Sequence, residues 1–238
     1  MTAPAARPAK AQPFRTPEPL DQPSLVEEVH ASGIDILRAC LQPGDQGRSF
    51  LRVLKNQAQA VLDAAVVLSE SVTAPDTGQL SGRVLSFRCR VQALGRAMDA
   101  GLSKTLFAPL THEDTRSISA ALLASLESIA DVTSKPGAVR VLAELALCDA
   151  SERSAKNVVS AIATLPKGKG IRRSTAEIES CTRKAEIVVR DFEIMQAKTA
   201  LDPFRLLSSR HATVAIRAMF RRYGEIACRL DYAVLKNG

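Results

Sequence analysis

A chain of 238 residues carries 32 Lys and Arg against 25 Asp and Glu, a formal charge of +7, and is 46% hydrophobic but only 4% aromatic, with no Trp. That apolar content is ample for a sizeable core. Abundant Ala and Leu without alternating β-branched runs exclude a β-rich fold and predict an all-α protein packed with small aliphatic side chains. The basic residues are spread along the chain rather than massed, and two Tyr, seven Phe and no nucleic-acid motif leave little to stack on bases, so no specific nucleic acid is expected as a partner.

The five cysteines, Cys40, Cys89, Cys148, Cys181 and Cys228, are widely separated, odd in number and without metal-ligand spacing; the simplest expectation is free thiols in a reducing compartment. No apolar run approaches the ~20 residues of a membrane span, and the amino terminus lacks the apolar core of a signal peptide. The expectation is a cytoplasmic protein, with room for a peripheral role at the inner membrane.

Six of the twelve prolines fall within the first 23 residues, which predicts a disordered Pro/Ala-rich tail. Arg7, Lys10 and Arg15 ahead of the first acid, Glu18, resemble a transit peptide, but the prolines oppose its amphipathic helix. Residues 24–41 predict a short accessory helix on Leu25, Val29 and Leu37, weakened by Gly33 and ended by Gln42-Pro43-Gly44-Asp45. Residues 1–46 thus precede a helical domain over 47–238.

Within that domain a first long helix is expected from about Arg48 to Val72, with Leu51, Leu54, Ala58, Val61, Ala65 and Leu68 in a bundle seam. Ala74-Pro75-Asp76-Thr77-Gly78 closes it. A second helix, on Leu80, Val84, Phe87, Val91, Leu94, Met98 and Leu102, runs to about Leu106. A third starts near Thr111 with Ile118, Leu122, Leu126, Ile129 and Val132 inward, Glu113 and Asp114 favouring its positive amino end. Ser134-Lys135-Pro136 opens a fourth helix carrying Leu142, Leu145, Val159 and Ile162. Leu165-Pro166-Lys167-Gly168-Lys169-Gly170 stops it; lacking Walker spacing and a preceding strand, this is a connector rather than a phosphate loop. A fifth helix follows Ile171, Ile178, Cys181, Ala185, Val188, Phe192 and Met195. Asp202 as cap and Pro203 in the first turn open a sixth, with Leu206, Thr213, Ile216, Phe220, Tyr223, Ala227, Leu230 and Val234 inward.

Between the second and third helices stands Leu106-Phe107-Ala108-Pro109-Leu110-Thr111-His112-Glu113-Asp114. An apolar-Pro-x-x-His/Arg-Glu-Asp junction between long helices resembles the divergent PhoU-like family, regulators associated with Pit-type phosphate permeases. The resemblance implies two tandem three-helix-bundle repeats, about 47–133 and 134–238, and a noncatalytic accessory protein docked on the cytoplasmic side of an inorganic phosphate permease. A homo-oligomer is a further candidate assembly. The other reading is a metal-free helical adaptor that binds an acidic partner or an anionic surface.

In that family, acidic Glu/Asp-x-x-x-Asp pairs on two helices of each repeat ligate a metal cluster. Carboxylates four apart share a helix face, so two helices present four to a hard metal. Registering the helices on their seams puts those positions at Arg88 and Gln92, Leu123 and Glu127, Thr182 and Glu186, and Arg217 and Arg221. Only two of the eight are acidic, and three arginines would repel a cation cluster. No metal or other cofactor is therefore expected. Arg88 is instead expected to pair with Glu127, and Glu186 with Arg217 or Arg221. Two alternatives stand beside the pairing: Arg210, Arg217 and Arg221 as an anion site, or a solvated basic helix face. His30, His112 and His211 lie on separate segments without partner spacing, and adjacent acids at a helix start serve as caps, so no catalytic residue and no enzyme is expected.

Overall fold

In the computed structural model the described residues are 46–72, 77–102, 110–135, 137–165, 170–199 and 202–237. The predicted tail, the accessory helix with His30 and Cys40, Pro109 of the junction and the Lys/Gly connector at 166–169 lie outside them. Seven α-helices and no strand occur among the described residues: α1 (Gln46–Glu70), α2 (Thr77–Leu102), α3 (His112–Ser134), α4 (Ala138–Glu144), α5 (Cys148–Thr164), α6 (Ile171–Thr199) and α7 (Pro203–Asn237). None of these helices is long and apolar enough to cross a membrane.

The predicted seams account for most of the burial. Every seam position predicted for the first and third helices is buried, and the second helix departs only at Phe87, which is half-buried. On α1, Phe50, Val53, Ala60, Ala64 and Val67 are buried as well, a wider stripe than a two-helix seam needs. The reason is that α1 has three neighbours: it packs on α2, α3 and α5. Helices α1, α2 and α3 contact one another, as do α5, α6 and α7, and the α1–α5 and α3–α7 contacts merge both groups into one continuous core.

The starts of α3 and α7 follow their sequence signals, whereas Ser134, expected to open the fourth helix, is the last residue of α3, and α4 begins after Gly137 with no side-chain cap. Thr111 caps α3 by accepting from the Asp114 amide at 3.1 Å, and its hydroxyl donates to Asp114 Oδ2 at 2.5 Å. Asp202 Oδ1 accepts from the Phe204 amide at 2.9 Å ahead of α7, with Pro203 at the first helical position.

The single fourth helix expected from Pro136 onward is two helices. It breaks at Leu145-Ala146-Leu147, with Ala146 at φ 52°. The Ala146 amide donates to the Ala143 carbonyl at 2.9 Å and the Leu147 amide to the Leu142 carbonyl at 3.0 Å, the paired bonds of a Schellman cap, with Leu142 and Leu147 both buried. Such caps normally carry Gly at the left-handed position. Alanine there leaves no turn signal, and apolar burial on both sides offsets the strain.

On α6, Val189 is buried where Val188 was expected, and Met195 is half-exposed. Helix α5 explains the second difference. Its Ser160 meets Ser174 at 3.4 Å, so the antiparallel α5, at 17 residues, ends before it can cover the far third of the 29-residue α6.

Candidate functional site: a charged groove along helix α7

Helices α6 and α7 are antiparallel neighbours tied by polar contacts along their length. Thr175 donates to Asp231 Oδ1 at 2.9 Å, Thr182 donates to the Phe220 carbonyl at 3.2 Å, and Glu193 accepts from Thr213 at 2.7 Å and from Arg217 at 2.8 Å. The far end of α7 meets the start of α3. There Arg229 hydrogen-bonds Ser117, and Lys236 Nζ stands 3.7 Å from Asp114 and 3.9 Å from Glu113.

Between these attachments lies a groove of about 780 Å³. One wall is α6, through Glu179, Thr182, Arg183 and Glu186; the other is the first turns of α3, through Glu113, Asp114 and Ser117. Helix α7 lines the space between them with the buried Phe220, with Gly224, Cys228 and Tyr232, and with Arg217, Arg221, Glu225 and Arg229.

Four of the eight positions registered from the sequence, Thr182, Glu186, Arg217 and Arg221, come together in this groove. The other four stand on α2 and α3. Arg88 Nε lies 3.9 Å from Glu127 Oε1 with both side chains about half exposed, so that expected pair is present but loose. Gln92 is exposed, and Leu123 is half-buried against the core.

The second expected pairing is different. Arg217 bonds Glu193 rather than Glu186, and among the described residues neither Glu186 nor Arg221 has an ion pair within 4.0 Å. Glu193 has the advantage of environment: the Arg217–Glu193 side chains are only 29% and 30% exposed, and Thr213 adds a second donor, whereas Glu186 is exposed to competing water. Burial acts to raise the Glu193 pKa, but hydrogen bonds from Thr213 and Arg217, with the charges of Arg217 and Arg210, hold it below the ordinary carboxylate value. The anion that Arg210 and Arg217 act on is thus the protein's own Glu193. Sequence reasoning missed that residue, although it lies one heptad beyond Glu186 on the same helix face.

The donor set does not fit the family's metal cluster. At the four converging positions there is one carboxylate beside two guanidiniums, and no group of three or more His, Cys, Asp or Glu among the described residues could hold a metal ion. The whole lining sets five carboxylates against four arginines, a mixed-charge surface rather than a basic anion pocket.

Comparison of the chain with models of known protein families and with curated proteins gives no match.

Proposed function

We propose that this protein is a noncatalytic, cytoplasmic accessory protein of inorganic phosphate transport, a PhoU-like helical protein that docks on a Pit-type permease without a metal cluster. The observation that carries the reading is the convergence of Thr182, Glu186, Arg217 and Arg221 on one groove. These are positions at which the PhoU-like pattern carries its metal ligands, and here they line one groove. The grouping of α1–α3 and of α5–α7 supports it too. In place of carboxylates bridged by metal, the facing helices are joined by Arg88–Glu127 and Arg217–Glu193. Docking acts by occupancy: a bundle that binds one state of the permease more tightly than another shifts its transport cycle toward that state.

The test is co-purification of the tagged permease with the untagged protein from detergent-solubilised membranes, with phosphate uptake measured in cells with and without the protein. Association together with an altered uptake rate is expected. Absence of both would sink the reading in favour of the metal-free adaptor. Elemental analysis of protein prepared without a metal-binding tag is expected to give less than one metal per chain; stoichiometric iron, zinc or manganese would overturn the metal-free part of the reading.

A further inference from the structure

The outward face of α7 carries a second apolar seam, distinct from the one that packs into the core. Leu207, Val214, Arg221, Cys228 and Leu235 recur every seven residues, and His211, Ala218, Glu225 and Tyr232 fall four residues after the first four of them. The spacing alternates four and three, the signature of a helix that packs along another helix. Yet Leu207, Val214, Tyr232 and Leu235 are 52%, 55%, 61% and 68% exposed, and Cys228 is exposed as well. Five of the ten large exposed hydrophobics among the described residues lie on this one helix. The stripe extends about 42 Å along the axis, and its carboxyl-terminal half lines the groove.

From this seam we infer that the protein self-associates, the α7 helices of two copies packing antiparallel about a two-fold axis. What selects a second copy as occupant is the order of residues along the seam. Apart from His211, the positions toward both ends are apolar, and a cation and an anion, Arg221 and Glu225, lie at the centre. Running the same helix in the opposite direction sets Arg221 against Glu225 of the partner subunit, and the two-fold axis produces that pair twice. In the same register Val214 meets the partner subunit's Tyr232 and Ala218 meets the partner subunit's Cys228, so the layers flanking the central pairs are apolar, and His211 faces the partner subunit's Leu235 beyond them. A parallel arrangement would stack Arg221 on its own copy and Glu225 on its own copy, juxtaposing like charges at the centre. An isologous contact of this kind closes at two subunits. Within one subunit Glu225 is held by Arg222 at 2.7 Å with side-chain exposures of 42% and 44%, a surface pair that yields readily to a second partner. This inference concerns assembly and does not rest on the phosphate-transport reading.

Sedimentation velocity of the full chain over a range of concentrations tests it. A dimer is expected, with Val214→Glu and Tyr232→Glu each weakening association about tenfold or more while leaving the monomer's helical circular dichroism intact, since both residues are exposed. Arg221→Glu alone should weaken the dimer, and adding Glu225→Arg should restore it, because the swap rebuilds the central pairs in reverse. In the A218C variant, mild oxidation should join position 218 of one subunit to Cys228 of the other, as located by peptide mapping. A chain that stays monomeric overturns the inference, as does a dimer indifferent to both Val214→Glu and Arg221→Glu. A monomer in which Cys228 forms a disulfide with Cys40 of the same chain would assign the seam to the amino-terminal segment. A monomer whose Cys228 is shielded from alkylation only by permease-bearing vesicles would assign it to a foreign partner.

Discussion

Arg217 on α7 binds Glu193 on α6 through a 2.8 Å contact between Nη2 and Oε2, and Thr213, one turn earlier on α7, donates to the other carboxylate oxygen at 2.7 Å. One carboxylate thus gathers two donors from α7 and fixes how α7 lies on α6 where the core thins toward the hairpin tip. The contact also leaves Arg221 and Glu186 available along the groove.

The Glu193 pKa is lower in the folded protein than its ordinary value. Its stabilisation is therefore complete above the unfolded value near 4.3 and is lost as pH falls through the folded one. Urea unfolding between about pH 7 and 3 should show an acid-side loss of stability that Glu193→Gln reduces. At neutral pH that substitution should cost under about 1 kcal/mol, since the pair is partly solvated. An unchanged acid limb in the variant would show that Glu193 is not a source of it.

At the α4–α5 break, Ala146 holds φ 52°, a conformation that costs a residue with a Cβ about 1 kcal/mol relative to glycine. Ala146→Gly should raise stability by up to that amount, a shift of about 2–4 °C in Tm for a chain of this size. Gly137, at φ 76° ahead of α4, provides the converse, and Gly137→Ala should lower stability by a similar amount. Thermal melts of the two variants check both signs.

Tyr223 is wholly buried, and its hydroxyl lies 3.1 Å from Ser151 Oγ on α5. Burial pushes its pKa up to about 12, against the opposing effect of the Ser151 hydrogen bond. Tyr223→Phe should cost about 1–3 kcal/mol by leaving a buried serine hydroxyl without its oxygen partner. Combining it with Ser151→Ala should cost less than the sum of the two single changes, a coupling that a double-mutant cycle of denaturant unfolding measures.

Cys148, at the start of α5, has its thiol pKa pushed up to about 11, mainly by burial and further by the neighbouring Asp149 charge. The thiolate is the reactive form. Iodoacetamide near pH 8 should accordingly modify exposed Cys89 well before Cys148, as read by peptide mass spectrometry over time. Modification of Cys148 at the same rate would contradict its placement in the fold.

Much of the helical scaffold was legible because its signals are local. Thr111 and Asp202 can cap a helix by themselves, and the apolar repeat of α1 or α3 identifies an inward face before any partner is known. The α4–α5 break was not legible, since Ala146 stands where a glycine would have marked it. Phe87, Val188 and Met195 show the other limit: apolar periodicity identifies a stripe, but the length and angle of the neighbouring helix decide how much of it is covered. At the site, seam registration brought Thr182, Glu186, Arg217 and Arg221 to one groove but selected the wrong carboxylate for Arg217.

By itself the sequence determined the all-α class, most of the inward stripes and the starts of α3 and α7, because each depends on side chains within a few residues of one another. Only the tertiary structure decided that Arg217 bonds Glu193, that α4 and α5 are separate, and that the outward seam of α7 lies between α6 and α3. Those outcomes depend on which helices meet, at what register and with how much water excluded, and long-range packing sets all three.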